Sequence, residues 1–183
     1  MKWFVNFMGS NQFIKGKYFK YFILVFLCLF LPMHVYTDNF KSSEGMLTGK
    51  PRVTDGDSLR IGKTRIRLHG IDAPERMQTC GLQETKWRCG WESTNALSNL
   101  ITNHWVTCFT KDIDRYGRVV AVCRVGSVNI NLYMVQNGWA LAYRRYSSDY
   151  VEAEKIAQKQ KRGIWRSQFT APWKWRKKKK NIN

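Results

Sequence analysis

Acidic side chains are scarce in this chain. Asp and Glu number 13 against 31 Lys and Arg, a formal charge of +18 over 183 residues. That shortage excludes an acidic mimic of a polyanion and points to an anionic partner, either nucleic acid or a lipid surface. The excess is uneven. Residues 1–36 carry four basic side chains and no acid, and residues 172–183 carry six and no acid, which leaves +8 on residues 37–171. Long apolar runs are also missing. The longest, Tyr21 to Leu31, has eleven residues, well short of the roughly 20 needed to cross a bilayer. There is no Cys-x-x-Cys, and none of the three histidines stands at ligand spacing from a cysteine, which argues against zinc. No segment repeats. Apolar and aromatic residues are plentiful: 44% hydrophobic, with eight Trp and ten Phe, which excludes a disordered chain. The length suits one domain with extensions at its ends.

The apolar run is preceded by Lys15, Lys17 and Lys20 and ended by Pro32. That is the layout of a secretory signal. Val35-Tyr36-Thr37 is a poor cleavage match, so residues 1–37 read as a signal peptide or as an uncleaved anchor with a cytoplasmic N-terminus. Residues 38–49 read as a linker. An exported chain, periplasmic or secreted, gives meaning to the four remaining cysteines, which read as two disulfides. Of three pairings we expect Cys80–Cys89, a short loop clip, and Cys108–Cys123, which joins neighbouring strands. Each contributes about 2–4 kcal/mol. Within the basic tail, 167–183, the run Trp173 to Lys180 suits nucleic-acid phosphates or anionic lipid, or is a solvated end.

Alternation of apolar and polar residues predicts strands over 46–68, with a hairpin whose turn is Gly62-Lys63. Arg65 and Arg67 point away from the Ile66 and Leu68 face. Residues 91–103 have helical spacing. Trp105–Phe109 and Val119–Val125 read as strands around a polar loop. Helices are expected over about Ile130–Asn137, with Asn129 as N-cap and Gly138 as stop, and from Asp149, with Glu152 at capping-box spacing, to Gly163. This order suggests an α+β domain on a small antiparallel barrel.

Three acids fall at turns: Asp57, Asp72 and Glu75. Two arginines flank them, Arg67 and Arg118. Clustered carboxylates suit a hard cation such as Ca²⁺ or Mg²⁺. A bound cation polarises a phosphoryl oxygen. Guanidinium groups fork onto non-bridging phosphate oxygens, and a further carboxylate takes a proton from water. Together they describe a phosphodiesterase site for an anionic polymer.

Three blocks carry a resemblance: Val53-Thr54-Asp55-Gly56-Asp57-Ser58, Ile66-Arg67-Leu68-His69-Gly70-Ile71-Asp72-Ala73-Pro74-Glu75, and Asp114-Arg115-Tyr116-Gly117-Arg118. In this order they resemble the signature of the staphylococcal nuclease family, over about 50–166. The resemblance implies an OB-fold, a five-stranded barrel with three helices, and Ca²⁺-dependent cleavage of single-stranded DNA and RNA leaving 3′-phosphates. It assigns calcium to Asp57, Asp72 and the Ala73 carbonyl, with Asp55 in support. Glu75 would activate water, and Arg67 and Arg118 would clamp the phosphate. Tyr116 and Tyr143 would line the nucleotide groove. Ser58 and Ala73 stand where the family commonly has Thr, and the Cys80–Cys89 segment replaces a lysine-rich loop. A silent nucleic-acid or peptide-binding OB module is the alternative reading.

Overall fold

The computed structural model describes residues 45–181; the leader expected over 1–37 lies outside them. Along the chain come β1 (Met46–Gly49), β2 (Pro51–Asp55), β3 (Ser58–Ile61), β4 (Thr64–Leu68) and β5 (Ile71–Asp72). Helix α1 (Cys89–Ile101) follows, then β6 (Val106–Ile113), β7 (Val119–Val125) and β8 (Val128–Asn129). The remainder is α2 (Ile130–Gln136), β9 (Leu141–Ala142), α3 (Val151–Lys159) and α4 (Pro172–Lys180).

The main sheet has the order β1-β6-β7-β4-β3-β2, with β8 on β7. All its pairings are antiparallel except β4 with β7. Its two end strands, β1 and β2, are consecutive in the chain and separated only by Lys50. They are one strand bent at Lys50, which pairs with β6 on one side of the bend and β3 on the other. The sheet must therefore roll up. Close approach at the bend requires a glycine, because a Cβ on Gly49 would overlap the Ile61 side chain. Counted this way, the expected five-stranded barrel is present, and the two residues of β8 are an extension.

Alternation fills the barrel. Leu59, Ile61, Ile66 and Leu68 of the hairpin face inward with Val106, Cys108, Ala121 and Cys123. Each buried aliphatic contributes on the order of 1.5–3 kcal/mol. Helices α1 and α2 close the barrel with Leu97, Ile101, Ile130 and Met134. Both expected disulfides form. Cys108–Cys123 links directly opposed residues of β6 and β7. Cys80–Cys89 sits in a second apolar cluster with Leu141 and Ile164, against which Trp87, Trp165, Phe169 and Trp173 pack.

Four expectations need correction. The sheet begins at Met46, where the strand reading began, so the linker expected over 38–49 gives way there to β1, which pairs with β6. Strand β6 runs on to Ile113, since its outer half is held by β7 even where it is exposed. Asp149 does not cap α3: the N-cap is Tyr150, with no side-chain bond, and Glu152 pairs with Lys155 instead. Over Pro172–Lys180 the basic tail is not simply a solvated end. It folds as α4, opened by Pro172 at its first turn, where a missing N–H costs nothing. Among the described residues no helix is long and apolar enough to cross a membrane.

Candidate active site

The site is built on two turns and one strand. A bulge between Val53 and Asp55 lets the chain turn at Asp55-Gly56-Asp57. The Asp57 amide donates to Asp55 Oδ1 at 3.1 Å. A Cβ at Gly56 would overlap Ser93 of α1 and Ala73, so only glycine lets this turn lie against both. The second turn follows β5, a two-residue strand held by β9, which leaves Asp72 fully buried. The two turns are tied together where the Ala73 amide donates to Asp57 Oδ2 at 3.1 Å. Ser58 Oγ donates to Asp57 Oδ1 at 2.9 Å.

Arg67 reaches both turns from β4. Its Nη1 donates to Asp57 Oδ1 at 3.2 Å and its Nη2 to Asp72 Oδ1 at 2.7 Å. Nη2 also lies 3.1 Å from Asp57 Oδ2. Glu75 is oriented through its backbone, whose amide donates to the side-chain oxygen of buried Gln78 at 3.3 Å. Gln78 in turn donates to the Thr170 carbonyl at 2.6 Å. From behind, Gly90 of α1 abuts this turn so closely that a Cβ there would overlap the Glu75 carbonyl.

Negative charge exceeds its local compensation. Burial, and then the neighbouring Asp57, push Asp55 up to about 7. Burial also raises Asp72, with Asp57 adding to it against the pull of Arg176 and Arg67. Burial works against the Asp57 charge as well, but Arg67 and three hydrogen-bond partners hold its carboxyl below the usual range. Such a cluster calls for a further cation.

In this structure that cation comes from the tail. Arg176 of α4 donates through Nη1 to Glu75 Oε1 at 2.7 Å and to Asp72 Oδ1 at 3.1 Å, and through Nη2 to Asp72 Oδ2 at 2.9 Å. One turn earlier Trp173 stacks on Tyr143, with ring centroids 5.6 Å apart and planes 16° from parallel. The sequence reading missed both residues, as well as Gln78. The one available signal was Trp and Arg interleaved with lysine behind Pro172.

The structure thus brings together Asp55, Asp57, Arg67, Asp72, Ala73 and Glu75. Arg118 and Tyr116 lie in the β6–β7 loop and make no hydrogen bond to these acids in this structure. Arg118 Nε donates to Asp114 Oδ2 at 2.7 Å, and its guanidinium lies over the Tyr116 ring at 5.6 Å. Arg65 ties that loop to β4 by donating to the Tyr116 carbonyl. Among the described residues no three Asp, Glu, His or Cys side chains form a ready cation cage. The donor chemistry still fits a hard cation. The available groups are carboxylate and carbonyl oxygens, and a guanidinium already stands among them as a positive charge.

Residues 65–167 match the family model described as Staphylococcal nuclease homologue. The chain belongs to the staphylococcal nuclease family. It is 36% identical over 136 residues to an uncharacterized endonuclease of Escherichia coli, covering 70% of this chain and 83% of that one. A micrococcal nuclease of Shigella flexneri is 34% identical over 148 residues, covering 71% and 80%. The similarity also reaches a succinoglycan biosynthesis protein, ExoI, of Rhizobium meliloti, 35% identical over 127 residues, with 67% and 66% covered. For this staphylococcal nuclease homologue, the family region holds Arg67, Asp72, Glu75 and Arg118, whereas Asp55, Asp57 and Arg176 lie beyond its bounds.

Proposed function

We propose that the chain is an exported, calcium-dependent nuclease that hydrolyses single-stranded DNA and RNA to leave 3′-phosphates. Family membership carries the nuclease activity. The finer reading is supported by one observation: a guanidinium that forks onto two buried aspartates of separate turns, beside a third carboxylate, Glu75. Two disulfides support an oxidising compartment. A binding module without catalysis would have no need for so costly an assembly of buried charge.

Calcium held by Asp57, Asp72 and the Ala73 carbonyl would supply Lewis-acid polarisation of a phosphoryl oxygen. The chain's residues do the rest. Glu75, exposed enough to meet water, takes a proton from the attacking water as its oxygen adds to phosphorus. Arg67, fixed by its two aspartates, presents N–H groups to the charge that grows on the non-bridging oxygens. Arg118 approaches from the β6–β7 loop. The P–O5′ bond breaks, the 5′ oxygen is protonated, and phosphate stays on the 3′ side.

The test is cleavage of single-stranded DNA with Ca²⁺ and then with chelator, with product ends analysed. Cleavage with Ca²⁺ alone and 3′-phosphate ends are expected, and Glu75→Gln should lower kcat by about 10²–10⁴. A Glu75→Gln variant as fast as wild type would refute the role of that carboxylate.

A further inference from the structure

The outward face of the hairpin region carries a second charged row. Arg52 of β2 lies directly opposite Arg60 of β3, and Arg60 lies opposite Arg65 of β4. All three are exposed. Like charges placed opposite one another on a sheet are destabilising, so an anionic partner is needed to make the arrangement favourable. Among the described residues no carboxylate pairs with any of the three. The row adjoins the site. Arg65 and Arg67 share a face of β4 two residues apart, a separation of about 6.6 Å along a strand, comparable to the repeat of an extended sugar–phosphate chain. From Arg65 the row continues sideways across β3 and β2, in steps of about 4.8 Å.

We propose that Arg52, Arg60 and Arg65 form a track for the phosphates of the substrate strand next to the one gripped by Arg67. The inference rests on the nuclease reading and adds to it a binding site outside the scissile bond. The ligand is the backbone of a single-stranded polynucleotide. Arg65 has a second contact, to the Tyr116 carbonyl, so the track also meets the loop that carries Arg118.

The experiment is fluorescence anisotropy with labelled oligothymidylate in chelator, where no cleavage is needed, using the full chain and Arg52→Gln/Arg60→Gln. Both positions are exposed, and losing their mutual repulsion should leave the far-UV circular dichroism unchanged; Arg60→Gln alone serves as a second variant. We expect affinity to fall about tenfold. The slope of log K against log salt should fall by about 1.4, or ~0.7 per lost phosphate contact on a single strand. Equal affinity and equal slope would overturn the track. Failure of wild type to bind would overturn the track and the substrate reading together. Binding without Ca²⁺-dependent cleavage would overturn only the catalytic reading.

Helix α4 supports a separate inference about the same acids. Arg176 engages both oxygens of Asp72 and one of Glu75, while Trp173 covers the ring of Tyr143. One helix therefore occupies one calcium-binding carboxylate, the carboxylate proposed to activate water and a nucleotide-stacking face at once. We infer that α4 is a tethered competitor, displaced when calcium and substrate enter. Calorimetric titration of Ca²⁺ into the full chain and into Arg176→Gln tests this. The variant should bind about tenfold more tightly, within the usual range of coupling between sites. The near-ultraviolet dichroism of the Trp173–Tyr143 pair, assigned with Trp173→Phe, should diminish as wild type fills with Ca²⁺. Should Arg176→Gln fail to fold, Arg176→Lys replaces it. Equal Ca²⁺ affinity, or an unchanged aromatic signal at saturation, would overturn the latch alone. Absence of Ca²⁺ binding in both proteins would overturn the calcium reading and the latch together.

Discussion

Arg67 and Arg118 are both arginines held by aspartate, but by opposite means. Arg67 is secured by Asp57 and Asp72, from two turns brought together by the barrel, and its side chain is 19% exposed. Arg118 is secured by Asp114, four residues earlier in its own loop, where amide hydrogen bonds from Tyr116 and Arg118 complete the turn. The first exists only when the fold does, and its partners are buried. The second is assembled within one loop and is half-buried, with Arg118 25% and Asp114 19% exposed. Two arginines proposed for the same clamp can thus differ in what they contribute to stability.

Removing Arg67 should have the largest effect. Arg67→Ala strands the buried charges of Asp57 and Asp72, and should cost about 3–5 kcal/mol in denaturant unfolding as well as about 10²–10³ in kcat. Arg118→Ala should match that loss in rate and yet cost only about 1 kcal/mol, because Asp114 keeps the amide hydrogen bonds of Tyr116 and residue 118. If the two variants lose similar stability, the contrast between them is wrong. The smallest effect concerns Asp114. Burial pushes its carboxyl up, but the hydrogen bonds from Arg118 and Tyr116 and the Arg118 charge together outweigh it and hold it below the ordinary 3.8. A depressed acid stabilises the fold above its unfolded value and loses that contribution as pH falls through the folded one. Backbone amide shifts of Tyr116 and Arg118 should therefore move only below about pH 4, and Asp114→Asn should remove the transition.

Much of the barrel was legible because its physics is local. Leu59, Ile61, Ile66 and Leu68 alternate cleanly, the Gly62-Lys63 turn needs a positive φ that Gly62 has, and Asn129 caps α2 through its own side chain. The acid and arginine blocks were legible as motifs, and the structure places most of them together. What escaped depends on distant partners. Met46–Gly49 reads as strand, but nothing in it shows that the chain bends at Lys50 and pairs with β6 on one side and β3 on the other. The composition of α4 is dominated by five lysines, which gives no hint that Arg176 turns inward. That contact spans more than a hundred positions of sequence.

The packing of α1 onto the acidic turn has a consequence for how this enzyme can vary. Gly90 and Gly56 are bare backbone pressed against the Glu75 carbonyl and Ala73. The reach of the Glu75 carboxylate, proposed to activate water, is therefore gauged by two residues that have no side chain. A methyl group added at either position would shift the turn without touching a reacting atom, and would detune turnover while every acid and arginine remained in the sequence.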